Sequence, residues 1–148
     1  MAEGIVVVGV DNTGRAQRAA EVAAQVARAL GHVLHIVTAY QQDRIDVYGS
    51  GSDQLIVSEA ADAESVARRV SEKLGDEHQE VKYFSVRGTP AKALITHAEM
   101  HGASLIVVGN KGVQGIGRVL GSIASSVAHS APCDVYIVKT NETAVEPQ

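Results

Sequence analysis

The residues best suited to chemistry are Gly109-Asn-Lys-Gly112, followed after eight residues by Gly121-Ser122. Glycine lets a backbone come close to a ligand. A helix starting near Ser122 would offer unpaired N–H groups and the positive end of a dipole. A strand, a glycine loop and a helix start together make a phosphate cradle. The bland alternative is a loop that the glycines merely turn. Lys111 inside the loop and Arg118 beyond it could neutralise a phosphate, although surface cations usually stay solvated. Asp11 is the second candidate, at the end of Ile5-Val-Val-Val-Gly-Val-Asp11. A carboxylate beside a phosphate cradle would repel phosphate. It would instead contact a ribose hydroxyl, the exocyclic amine of a base or a metal ion. Its bland alternative is an Asx-type cap formed with Asn12 and Thr13.

Other chemistries lack their residues. There is no Gly-x-x-x-x-Gly-Lys-Ser/Thr, and Gly-x-Gly-x-x-Gly does not follow the first strand. Gly49-Ser-Gly-Ser-Asp53 does not follow the first strand either, so it is no pyrophosphatase loop. His97-Ala-Glu-Met-His101 sets two imidazoles at i, i+4, but the Glu is misplaced for His-Glu-x-x-His. No third ligand is evident in the sequence, so no metal site is expected. Ser122, Ser125 and Ser126 near His129 read as tolerated helix residues, and His35 as structural. Strand three ends Val86-Arg87, without the acceptor Asp of a phospho-receiver domain. No catalytic residue is expected.

The elements that must position these residues follow from periodicity. Strands are expected at Ile5–Val10, Val33–Tyr40, Val81–Val86, Leu105–Gly109 and Asp134–Lys139. Helices are expected over about Gly14–Leu30, Leu55–Leu74, Thr89–His101 and Ser122–His129. Ala16, Ala19, Ala23, Val26, Ala27 and Leu30 form the inner face of the first. Thr13 and Thr89 are plausible caps, Pro90 suits a first turn, and Gly31, Gly75 and Gly102 are stops. The alternation predicts an α/β fold, a single-domain doubly wound parallel sheet with helices on both faces. One domain spans 1–148, with a loose loop at Gln41–Gln54 and a frayed tail at Thr140–Gln148. If the strand order is 3-2-1-4-5, the order reverses between strands one and four. Ligands bind there, outside the carboxyl ends of the strands. Asp11 and Gly109 would then converge.

Composition narrows the class. The chain has 148 residues, 45% of them hydrophobic, with four Tyr and one Phe as its aromatic residues. Its net charge is −4 and it has no basic stretch, which argues against a nucleic-acid or anionic-membrane surface. The single Cys133 fits a reducing compartment and a core position. No basic-plus-apolar leader or run of transmembrane length is seen, so a soluble cytoplasmic protein is expected.

Ile5-Val-Val-Val-Gly-Val-Asp11, Arg87-Gly88-Thr-Pro90 and Val107-Val-Gly-Asn-Lys-Gly112 through Gly121-Ser122 together resemble the universal stress protein family. The similarity runs from about Ile5 to Val138. The resemblance implies a five-stranded parallel sheet in the order 3-2-1-4-5. It implies homodimers joined through the last strand, Asp134–Lys139. It implies an adenine nucleotide, ATP (with Mg possible) or cyclic AMP, in a regulatory stress-response role. On this likeness Asp11 approaches the adenosine, Gly9 and Val10 line its pocket, and Ala39 flanks the adenine. Gly109, Lys111, Gly112, Gly121, Ser122 and Ile123 surround ribose and phosphates, and Gly88 gives room nearby. Two departures stand out. The spacer before Gly121 is one residue shorter than is usual in the family, and Asn12-Thr13 replaces Gly-Ser after the Asp. Two alternatives stay open: a nucleotide-independent dimeric interaction module, and a slow ATPase or self-phosphorylating protein.

Overall fold

The computed structural model describes residues 4–11, 14–41, 45–48, 55–74, 79–110 and 120–140. In chain order the elements are β1 (Ile5–Gly9), α1 (Gly14–Leu30), β2 (Val33–Tyr40), β3 (Ile45–Tyr48), β4 (Leu55–Ser58), α2 (Glu59–Leu74), β5 (Val81–Arg87), α3 (Pro90–His101), β6 (Leu105–Asn110), α4 (Ser122–Ser130) and β7 (Asp134–Lys139). The main sheet is ordered β5-β2-β1-β6-β7, and all its pairings are parallel. Counted along its own strands, this is the 3-2-1-4-5 order. The order reverses between β1 and β6.

The sequence explains the layers. Strands buried on both faces need branched apolar residues throughout, and Val6, Val7, Val8, Ile106 and Val107 are fully buried. Side chains alternate between faces along a strand. Val6, Val8, Leu34, Ile36 and Val107 pack with Ala19, Ala20, Ala23 and Ala27 of α1 and with Ala67 and Val70 of α2. Val7, Val37, Ile106 and Val108 point the other way, onto Leu94 and Ala98 of α3 and Ala124 and Val127 of α4. Alanines on α1 let that helix lie close to the sheet. Its end is a Schellman turn. The His32 N–H donates to Ala27 O at 2.8 Å and the Gly31 N–H to Arg28 O at 3.2 Å, with Gly31 at φ 70°.

Four expectations need correction. Leu55–Ser58 is a strand rather than the first turn of α2, which begins at Glu59. It pairs antiparallel with Ile45–Tyr48, so the Gln41–Gln54 stretch holds one arm of a hairpin. The β-branched and aromatic residues of Ile45-Asp-Val-Tyr48 favour a strand, a local signal hidden by the polar average of the loop. Residues 42–44 and 49–54 of that stretch lie outside the described set. Thr140 is not frayed. It is buried, and its N–H and hydroxyl both donate to Asn110 O, at 3.2 and 2.9 Å. Leu30 is 53% exposed, because it sits on the last turn of α1, beyond the packed face. Thr13 lies outside the described residues. Thr89 occupies the cap position of α3, but its side chain makes no cap bond. Among the described residues no helix is long and apolar enough to cross a membrane.

Candidate functional site

β1, β2 and β6 end at one cleft, at the point where the strand order reverses. Such crevices are where open α/β sheets take ligands. Counting the part open to solvent, the cleft holds about 780 Å³. β1 and the residues after it supply Gly9, Val10 and Asp11, and β2 supplies Val37, Thr38 and Ala39. Val108 and Gly109 come from β6, Ala16 and Ala19 from α1, Pro90 and Leu94 from α3, and Ile123 from α4. Thr140 completes the wall. The lining is apolar and built mostly from small side chains, which leaves a slot between the strand ends and the helices.

Backbone ties fix this geometry. The Val10 N–H donates to Val37 O at 2.9 Å, which holds the chain after β1 against β2. Asn110 Oδ1 accepts the Gly121 N–H at 2.8 Å, joining the end of β6 to the start of α4. The Ser125 N–H donates to Gly121 O at 2.9 Å and begins the helical ladder. The N–H groups of Ser122, Ile123 and Ala124 precede that ladder. They supply the positive helix end that suits an anion. At Gly109 a Cβ would come within 3.2 Å of Thr140 Cγ2 and 3.6 Å of Ala19 Cβ. Any larger residue there would fill the cleft or push its wall outward.

Polar groups are few. Asp11 is exposed at the rim. The Thr140 hydroxyl is engaged with Asn110. Thr38 Oγ1 is buried with no hydrogen-bond partner. A buried polar atom without a partner is rare in folded proteins. The residue lines the cleft, but the hydroxyl itself presents no surface to it.

Of the candidate residues, Gly9, Val10, Asp11, Ala39, Gly109 and Ile123 line the cleft. Gly121 and Ser122 open α4, whose next residue, Ile123, reaches the wall. Gly88 does not line it. Gly88 follows β5 at the same end of the sheet, with its N–H donating to Tyr40 O at 2.7 Å. Lys111, Gly112 and Arg118 lie outside the described residues. Thr38 and Thr140 were not singled out by sequence. The signal for Thr38 is a hydroxyl inside a strand that is mostly apolar.

A second polar cluster sits further along α3. His35 Nδ1 and His97 Nε2 are 2.9 Å apart, both buried. The ring centroids of His97 and the exposed His101 are 4.1 Å apart. Phe84 packs on His35 at 4.7 Å and on His97 at 4.5 Å. Burial lowers both buried imidazoles to about 4. The neighbouring His101 adds to this, and Lys82 adds to it at His35, where Glu80 opposes. Both rings are therefore neutral at neutral pH. The i, i+4 spacing revealed His97 and His101. It could not reveal His35, which arrives through packing of β2 against α3.

The comparisons with known proteins agree with this architecture. The model of the Universal stress protein family matches residues 4–139. Universal stress protein Rv1636 of Mycobacterium tuberculosis is 32% identical over 140 residues, covering 91% of this chain and 95% of that protein. A crystal structure of a universal stress protein in complex with cAMP superposes with a TM-score of 0.72 at 32% identity, over 95% of this chain and 99% of that one. The universal stress protein of Archaeoglobus fulgidus in complex with dAMP gives a TM-score of 0.64 at 25% identity, over 94% of this chain and 100% of that one.

Proposed function

This chain belongs to the universal stress protein family, and we propose that it is a regulatory protein that binds an adenine nucleotide, ATP or cyclic AMP, in the cleft between β1 and β6. The apolar cleft at the reversal of the strand order, beside the start of α4, is the observation that carries this reading. An apolar slot accepts a flat base, and a few placed polar groups orient it. Val37 and Ala39 would lie against the base. Asp11 would accept from the ribose hydroxyls, since a carboxylate belongs away from phosphate. The start of α4 and the glycines of 109–112 and 121 would face the phosphates. Lys111 would add charge to that contact, and Mg would accompany ATP. Complexes of relatives with cAMP and dAMP support the adenine nucleotide class. Bound nucleotide would act on the protein only through different affinities for two of its states. The same reading takes the protein as a homodimer joined along β7.

Calorimetric titration of ATP and of cyclic AMP into nucleotide-stripped protein tests the proposal. Saturable binding near one site per chain is expected with at least one of them. Losing a hydrogen bond to a charged group costs about 1.5–3 kcal/mol, or roughly ten- to hundredfold in affinity. Asp11→Ala should show such a loss, and Gly112→Ala should weaken binding by at least about tenfold. Unchanged affinity in both variants overturns the reading.

A further inference from the structure

We propose that His35, His97 and His101 form a binding site for one zinc-class divalent ion, separate from the nucleotide cleft, which pins α3 to β2. One ring nitrogen from each lies within 4.8 Å of the others. On a tetrahedral zinc with bonds of about 2.0–2.1 Å, ligand nitrogens sit roughly 3.3 Å apart. The observed His35–His97 spacing of 2.9 Å and the upper bound of 4.8 Å bracket that value. No spacing among these nitrogens need change by more than about 1.5 Å to reach that geometry.

The chemistry of the donors fits. Neutral imidazole is the ligand form, and burial keeps His35 and His97 unprotonated at neutral pH. Three imidazoles with a remaining position for water suit zinc, and the same set binds cobalt, nickel and copper ions. His97 and His101 come from successive turns of one helix, which places both on one face. His35 comes from β2, facing the same layer as Val7 and Val37. His101 is exposed, so an ion has an entry path. Lys82 stands beside His35 in the register of β5 but pairs with Glu80 at 3.5 Å. The cation at the rim is thereby offset. Without an ion, the close pair must share one proton in a hydrogen bond. With an ion, each ring presents a lone pair to it and keeps its proton on the other nitrogen.

The site adjoins the cleft without sharing its residues. Val37 lines the cleft two residues beyond His35, and Leu94 lines it three residues before His97. A cross-link here would hold the floor of the cleft from below.

The test uses the full chain without a histidine tag, titrated with Co²⁺ and then with Zn²⁺ in competition. The wild type should bind one Co²⁺ with the visible absorption of a four-coordinate ion, and Zn²⁺ should displace it. Zn²⁺ should also raise the melting temperature. Because His101 is exposed, His101→Ala should fold normally. Its loss of affinity should exceed the roughly ten- to hundredfold caused by removing an outer-shell partner of a metal site. His101→Cys should restore binding with a sulfur-shifted spectrum, and His129→Ala should match the wild type. Equal affinity of wild type and His101→Ala overturns the proposal, as does wild-type protein without the four-coordinate spectrum.

Discussion

Thr38 shows how a single side chain can be a cost to the folded protein. Its hydroxyl is buried without a partner, and such a group costs about 1–3 kcal/mol of stability. Thr38→Val keeps the shape and the β-branching while removing the orphan. The nucleotide-free variant should gain about 1 kcal/mol, which in a chain of this size raises the melting temperature by roughly 2–4 °C. Nucleotide affinity should stay within about twofold of wild type, because the hydroxyl offers no surface to the cleft. Melting curves and calorimetry read the two properties separately. A variant less stable when empty would mean that the added methyl group packs worse than the hydroxyl it replaces. At this scale the sequence was legible where local order placed the residue. Asp11 lies two residues past a valine-rich strand and Gly109 is next to last in another, so both are legible near a strand end. Thr38 and His35 are not, because their meaning comes from what packs against β2 rather than from neighbours in sequence.

The elements divide by how much of their signal is local. β1 and β6 carry continuous runs of Val and Ile, which only a strand buried on both faces explains. α1 and α3 carry alanine or leucine stripes and end at Gly31 and Gly102. The β3–β4 hairpin is different, since each arm has only four residues and its pairing is a contact between segments. Two-stranded hairpins are marginal by themselves, so composition alone gave little to read. β7 raises the opposite question, because its partner on one side is β6 and its other side is the edge of the sheet. Unpaired strand edges are templates for another chain. Tyr136 on this strand is 45% exposed. If β7 joins two copies, Tyr136→Glu brings one new negative charge from each copy into that interface, which is destabilising. Light scattering should then report a fall from twice the 15.5 kDa chain mass to the single chain. A variant that keeps twice the chain mass removes β7 from the interface.

Across the whole molecule, the sheet separates two unlike cores. The layer under α1 and α2 is aliphatic, packed from Val, Ile, Leu and Ala. The layer under α3 and α4 holds Val37, Leu94, Ile106 and Val127, and buries His35 and His97 beside Phe84. That difference makes the stability of the fold sensitive to acid. Both imidazoles titrate near 4 in the folded protein and near 6.5 when unfolded. Between those values the unfolded chain binds more protons than the folded one, so stability rises with pH across that window. At neutral pH the contribution is complete. It is lost as pH falls from about 6.5 toward 4, and the facing charge of His101 deepens the loss. Denaturant unfolding in the presence of a chelator, at steps from pH 7 to pH 4.5, should show a proton difference that exceeds one and approaches two. His97→Leu should flatten that slope by about one proton, whatever it does to stability at pH 7. Carboxylates protonate in the same range, so the comparison with the variant isolates the histidine part. An identical slope in both proteins would mean that the paired rings accept their protons without opening the layer beneath α3.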